Sequence, residues 1–418
     1  MKIFYDLKNN EWFHTLPSET VFSIGEKNKS VRFDRRQSLK DCLPFHVRRK
    51  GQKVGPVIGI LVSNKQNKFY GNIPLFNRIQ RKLFELGGFS VCFPIDQLLR
   101  GNLSGYCYIP STNHWISIND LVPDAFYNRL LRDDEHKLKL LSEMYTTPFF
   151  NRQFFDKWEL YSVLSQDNLL EKHLPKTLLL TDSNFNEYLN TYSSFYVKER
   201  ESSKGAGIFL VEKERENIII QTVEKKFVFY NVKEAWDFLK KHTNDCIIQE
   251  TIPSQRWHGN KFDLRLFVHF IDGNYEISGT GVRVSHGQQI TTHVPNGGMV
   301  GTLNELPITI DSPLLQALMN NCGKLLTKKI SFVGEFSADI GITPTGHYYI
   351  YELNSKPMDF DEPIIKQKGT ENLIHTFYNF TSFPWRNHKT FVENKKRNNQ
   401  KNSILIKEIV KVKTNRLP

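Results

Sequence analysis

Two apolar stretches late in the chain, SFVGEFSADIGI (331–342) and HYYIYELNSKP (347–357), constrain this sequence most. Each reads as a strand, and the intervening Thr343-Pro344-Thr345-Gly346 reads as a hairpin turn. Strand side chains alternate between faces, so Glu352 and Asn354 share one face, and closing the hairpin brings Asp339 beside them. Carboxylates in apolar, aromatic-rich strands need a cation or hydrogen-bond donors to meet them. Two carboxylates and an amide oxygen are hard donors of the kind that hold Mg²⁺ together with nucleotide phosphates. Their juxtaposition is the reason to expect ATP chemistry.

The rest of the sequence sets bounds on that expectation. A chain of 418 residues, 39% hydrophobic and 13% aromatic, is long and apolar enough for two or three folded domains. Its five cysteines are scattered and form no C-x-x-C pair, which argues for a reducing compartment and against a zinc site. The N-terminus, MKIFYDLKNNEWF, lacks the apolar core of a secretory signal, and no run is apolar enough to span a bilayer, so the expected location is cytoplasmic. Of the formal net charge of +12, residues 386–418 carry +8. Such a basic tail is suited to nucleic acid, anionic lipid or an acidic partner, or is simply a solvated end. No recognised nucleic-acid motif accompanies it.

Along the chain, short apolar runs and polar turns over 1–50 suggest a small β-rich module. VGPVIGILVS (54–63), the helical pattern of 72–88 and FSVCFPI (89–95) suggest a βαβ unit, without a G-x-G-x-x-G dinucleotide fingerprint. Residues 152–166 read as a helix, 193–200 as a strand ending near Lys198, and 261–285 as a strand pair turning at Asp272-Gly273. The loop ESSKGAG (201–207) is rich in glycine and small residues, and such a loop lays backbone N–H groups against phosphate oxygens.

The order of these features resembles the ATP-grasp superfamily: a strand lysine, a glycine loop, IIQETI, Asp263-x-Arg265, Asp339, and Glu352-x-Asn354. The layout over residues 54–365, with VGPVIGIL, DKW, YVKE, FDLRLFV and YELNSKP, is similar to YheC/YheD-type proteins, described as endospore-coat-associated in spore-forming bacteria. The resemblance implies an α/β chain with α+β grasp lobes. A β-rich module (1–50) and a βαβ pre-grasp domain (54–150) would precede an ATP-grasp domain (151–365, lid lobe about 177–254) and a C-terminal segment with the basic tail (366–418).

By resemblance, Lys157 and Lys198 contact nucleotide phosphates, and Ser202, Ser203, Gly205 and Gly207 belong to the mobile loop over them. Gln249, Glu250 and Ile252 form the hinge that holds adenine, and Asp339, Glu352 and Asn354 are the metal ligands. Arg265 stabilises the transferring phosphoryl group and also contacts the nucleotide, while Arg283 faces the acyl phosphate. Asn296 resembles a loop residue near the acceptor, and His286 and His293 receive no role. The implied cofactors are ATP and Mg²⁺, as two ions, with Mn²⁺ as a substitute. The implied reaction is ADP-forming ligation of a small-molecule or peptide carboxylate to an amine, with Lys198, Arg265 and Arg283 catalytic. The alternative is a spore-coat-associated structural protein with this fold, little turnover and coat proteins as partners.

Overall fold

A computed structural model describes residues 1–17, 20–35, 38–65, 68–202, 207–285, 290, 292 and 298–385. The chain divides into two units, residues 1–153 with 370–418, and residues 154–369.

The first unit holds two sheets. One contains β1 (Lys2–Asp6), β2 (Glu11–His14), β3 (Phe22–Ile24), β4 (Lys29–Phe33), β5 (Cys42–His46), β6 (Arg48–Lys50) and β7 (Lys53–Gly55), in the order β5-β1-β2-β4-β3-β7-β6. The other is built on β8 (Val57–Lys65), with β9 (Lys68–Tyr70), β10 (Phe89–Pro94), β11 (Gly105–Ile109), β12 (His114–Ile118), β13 (Ala125–Asn128) and β14 (Phe149–Phe150). Helix α1 (Ile73–Leu86) crosses between the parallel strands β8 and β10, which is the expected βαβ unit. Asn72 caps its start by accepting from Leu75 N–H at 3.1 Å, and Gly87 ends it at φ +96°, where a side chain would be strained. Both sheets bury one core, in which Trp12 packs on Phe45 and Phe89 with ring centroids 5.1 and 5.4 Å away. Short helices α2 (Ile95–Leu99) and α3 (Lys137–Met144) close its side.

The second unit opens with α4 (Lys157–Leu164). The pattern over 152–166 predicts a longer helix; Asp156 starts it later by accepting from Glu159 N–H at 2.8 Å. A six-stranded antiparallel sheet follows: β15 (Thr177–Leu179), β16 (Ser194–Glu199), β17 (Ile208–Glu214), β18 (Asn217–Gln221), β19 (Lys226–Phe229) and β20 (Cys246–Glu250), ordered β15-β20-β16-β17-β18-β19. Helices α5 (Asp182–Thr191) and α6 (Val232–His242) cover it through Phe185, Leu189, Ala235 and Leu239.

The last sheet has β21 (Arg256–Trp257), β22 (Asn260–Ile271), β23 (Asn274–Val284), β24 (Met299–Gly301), β25 (Glu335–Ile342) and β26 (Tyr348–Asn354), with β24-β23-β22-β25-β26 in line. The β22–β23 hairpin turns at Asp272 and Gly273, both at positive φ (46° and 89°), as a tight turn requires. Leu264, Leu266, Phe336, Ala338 and Ile340 pack with Leu315, Leu318, Cys322 and Leu326 of α7 (Ser312–Lys329). That burial leaves the odd-numbered residues of β22 for the opposite face. Helix α8 (Pro363–Thr381) belongs to the second unit as far as Gly369 and to the first beyond it. Among the described residues no helix is long and apolar enough to cross a membrane.

Candidate active site

The strand register assembles one wall of the site. Gly281, Arg265, Asp339 and Glu352 lie opposite one another across β23, β22, β25 and β26. In the neighbouring row, Ser337 lies opposite both Phe267 and Asn354. The hairpin therefore brings Asp339 beside Glu352, with Asn354 two residues on. Arg265 Nη1 donates to Asp339 Oδ1 at 3.1 Å, with side-chain exposures of only 10% and 16%. Such a buried pair holds its geometry far better than a surface one.

An irregularity widens this wall. The register slips between Asp339 and Ile340, which face Glu352 and Ile350, so Tyr351 is an extra residue in β26. Tyr351 and Glu352 consequently both line the cleft, although neighbours on a regular strand would face opposite ways. Gly341 leaves room for the ring, since a Cβ there would lie 2.1 Å from the Tyr351 hydroxyl. The Lys261 ammonium lies between two aromatic faces, 5.2 Å from the Tyr351 centroid and 5.8 Å from that of Tyr196. Burial disfavours its charge, but the oxygens of Tyr196, Asp263 and Tyr351 outweigh burial and raise its pKa. Asp263 accepts from the Thr292 hydroxyl at 2.7 Å.

The facing wall comes from the antiparallel sheet. Lys198, near the end of β16, donates through Nζ to Gln249 Oε1 at 2.6 Å and lies 5.1 Å from the Tyr196 ring centroid. Burial lowers its pKa from the usual lysine value to about 8, and Glu352 opposes that shift. Lys157 Nζ donates to the carbonyls of Ser202 at 2.7 Å and Glu199 at 3.0 Å, fastening the base of the glycine loop. The Ser202 hydroxyl donates to Glu199 O at 3.1 Å. Gly207 has φ +61°, and a Cβ there would lie 2.4 Å from Glu199 Oε2. Arg200 pairs with Asp156 at 2.9 Å on the same base.

The chain leaves β20 at Glu250 and runs on to β21 in the other sheet. Gln249 is buried, Glu250 Oε1 accepts from Lys176 N–H at 2.8 Å, and Ile252 lines the cleft. Together the walls bound a single cleft.

Of the residues singled out from sequence, Lys157, Lys198, Gln249, Glu250, Ile252, Asp339 and Glu352 line this cleft. Arg265 reaches it through Asp339. Arg283, opposite Asp263, is held bidentately by Glu362, at 2.7 and 3.2 Å. Burial alone would raise the Glu362 pKa, but Arg283 and nearby backbone donors lower it. Phe360 sits beneath both arginines, 5.6 Å from Arg265 and 5.8 Å from Arg283. Ser203, Gly205, His286, His293 and Asn296 lie outside the described residues.

Sequence reasoning missed Lys261, Tyr196, Tyr351 and Thr292. Lys261, Asp263 and Arg265 alternate along one strand, so Lys261 was readable as a third polar residue on the same face. Tyr196 stands two residues before Lys198 and was readable in the same way. Tyr351 had no signal, because the bulge reverses its alternation.

Among the described residues no three His, Cys, Asp or Glu side chains cluster into a ready metal cage. A hard cation would need oxygen donors held close together. Asp339, Glu352 and Asn354 fit that arrangement as hard donors beside one another, with Arg265 balancing the charge.

The family described as "YheC/D like ATP-grasp" matches residues 146–383. "Endospore coat-associated protein YheD" of Bacillus subtilis (strain 168) is 26% identical over 332 residues, covering 73% of each chain. Among solved structures, D-alanyl-alanine synthetase A from Vibrio cholerae aligns with a TM-score of 0.46 at 13% identity, over 78% of this chain and 99% of that one. N5-carboxyaminoimidazole synthetase from Staphylococcus aureus aligns with a TM-score of 0.47 at 13% identity, over 80% and 79%.

Proposed function

This chain belongs to the YheC/D-like ATP-grasp family, and on that premise we propose that it is an ATP- and Mg²⁺-dependent ligase that joins a carboxylate to an amine through an acyl phosphate. The observation that carries this reading is the strand row Arg265–Asp339–Glu352, of which Asp339 and Glu352 line one cleft with Lys198. Phosphoryl transfer spreads negative charge over oxygens that fixed cations must meet. When bound, one or two Mg²⁺ ions would supply part of that charge, with Mn²⁺ as a substitute.

The chain's own residues have distinct tasks. Asp339, Glu352 and Asn354 provide the oxygens that hold the ion. Lys198 binds the phosphates as a cation. Arg265, steadied by Asp339 and Phe360, meets the charge that develops on the transferred group. Arg283 orients the acyl phosphate. Lys157 keeps the base of the loop that carries Ser203 and Gly205 closed. Gln249, Glu250 and Ile252 offer the hinge edge to the base. The acyl phosphate then yields to the amine, and phosphate leaves.

The test is product identity. Full-length protein with Mg·ATP and an array of small-molecule and peptide carboxylates and amines should release ADP and phosphate. Hydroxylamine should trap the acyl phosphate as a hydroxamate. Release of AMP and pyrophosphate would overturn the reading.

Two observations favour a second reading, a coat-associated protein with little turnover. The relative from Bacillus subtilis carries that association in its name, and Arg283 already holds a carboxylate of this chain. That reading requires Mg·ATP to stabilise the protein with no acceptor-dependent ADP release, and the protein to fractionate with spore-coat proteins. A cytoplasmic location accompanies the ligase reading.

A further inference from the structure

We propose that Thr177 is a positioning residue for the nucleotide site: through the Gln249 side chain it aims the Lys198 ammonium into the cleft. The proposal rests on the nucleotide reading above and adds a residue outside the family resemblance.

The argument is one of donors and acceptors. Thr177, on β15, is 1% exposed. Its hydroxyl donates to the carbonyl of Pro175 at 2.9 Å, and that carbonyl can only accept. With its single proton committed, Thr177 Oγ1 can only accept from Gln249. The Gln249 NH₂ must therefore face Thr177, and Nε2 lies 2.9 Å from Oγ1. The amide oxygen then faces the other way, 2.6 Å from Lys198 Nζ, which can only donate. Both ends of the chain Pro175–Thr177–Gln249–Lys198 demand the same amide orientation, so it has one hydrogen-bond solution.

The strand register supports the arrangement. Thr177 is opposite Gln249 between β15 and β20, and Gln249 is opposite Tyr196 between β20 and β16. A rotated amide would turn its NH₂ toward an ammonium, leaving two donors face to face in a partly desolvated site. The relay prevents that. It also commits the Gln249 side chain, so the base edge falls to the backbone of the hinge.

The experiment reads Lys198 directly. Competitive acylation of full-length protein, followed by mass spectrometry of the Lys198 peptide across pH, gives its titration midpoint without nucleotide. Burial places that midpoint near 8 in the wild type. Thr177→Val keeps the volume and removes the acceptor; it should lower the midpoint and weaken Mg·ATP binding about tenfold. Thr177→Ser should restore both. Should Thr177→Val fail to fold, Gln249→Glu must raise the midpoint by setting a carboxylate against the ammonium. An unchanged midpoint in Thr177→Val, or in Gln249→Glu, overturns the relay. Failure of Mg·ATP to protect Lys198 in the wild type, with the midpoints moving as expected, overturns the nucleotide reading instead.

Discussion

The two walls of the cleft are built on different principles. On the β22–β26 wall, function follows from register: Arg265, Asp339 and Glu352 fall in one row because three neighbouring strands pair as they do. Opposite charges sit side by side, and the row needs no loop. On the β15–β20 wall, Arg200 pairs with Asp156, but the two lysines of the cleft are held by neutral oxygens. Lys198 leans on an amide, and Lys157 on carbonyls at the base of the glycine loop. In the first wall Arg265 and Asp339 neutralise one another. The second presents the Lys198 ammonium to the cleft from a neutral amide. The comparison teaches that the proposed metal ligands are placed by sheet pairing, whereas the proposed phosphate-binding lysines are placed by local scaffolding.

The largest expected effect tests the paired wall. Glu352→Gln keeps the shape and removes the charge, and should lower ATP turnover on the order of 10²–10³-fold with little change in melting temperature. Steady-state ADP release and thermal unfolding, measured on the same preparation, check this. Full activity in the variant would remove Glu352 from the ligand set and dissolve the contrast between the walls.

A smaller effect tests the scaffolded wall. A lysine binds phosphate while protonated, and burial brings Lys198 to about 8. Mg·ATP affinity should therefore hold below pH 8 and weaken as pH rises through that value. Lys198→Arg should remove this alkaline limb, because arginine stays charged. Lys198→Met should weaken binding about 10- to 100-fold at neutral pH. Calorimetric titrations from pH 6.5 to about 9.5 distinguish these cases. A limb that survives Lys198→Arg would assign the titration to another group.

The same contrast explains how much was legible in the sequence. Strand alternation and the hairpin turn were enough to bring Asp339, Glu352 and Asn354 together, because pairing converts sequence spacing directly into position. The βαβ unit and the β22–β23 hairpin were equally readable, the first from the helical spacing of 72–88 between two apolar runs and the second from Asp272-Gly273. Alternation also marked Lys261 and Tyr196, which were overlooked. The Thr177–Gln249 contact was not readable, since it joins residues far apart in sequence through side chains with no periodic signature. The pairing of Arg283 with Glu362 depends likewise on where α8 begins. Tyr351 was hidden for a third reason, because a bulge breaks the rule by which strands are read.

The bulge gives the smallest and most local prediction. Tyr351 turns into the cleft because it is the extra residue, and Gly341 leaves the space its ring occupies. A Cβ at 341 would overlap the far end of that ring, which is also engaged by Lys261 and lies 3.2 Å from the Ser254 hydroxyl. Gly341→Ala should force the ring to swing away, costing about 1–3 kcal/mol by overpacking. It should weaken Mg·ATP binding only a few-fold, since Asp339 and Glu352 keep their register. Tyr351→Leu should absorb much of the penalty, so the double variant should be more stable than the sum of the single changes predicts. Denaturant melts of the four proteins complete the cycle. Strict additivity would mean that the ring and the glycine are not coupled. A large loss of turnover in Gly341→Ala would mean that the paired wall is less rigid than its register suggests, and the distinction between the two walls would then be one of degree.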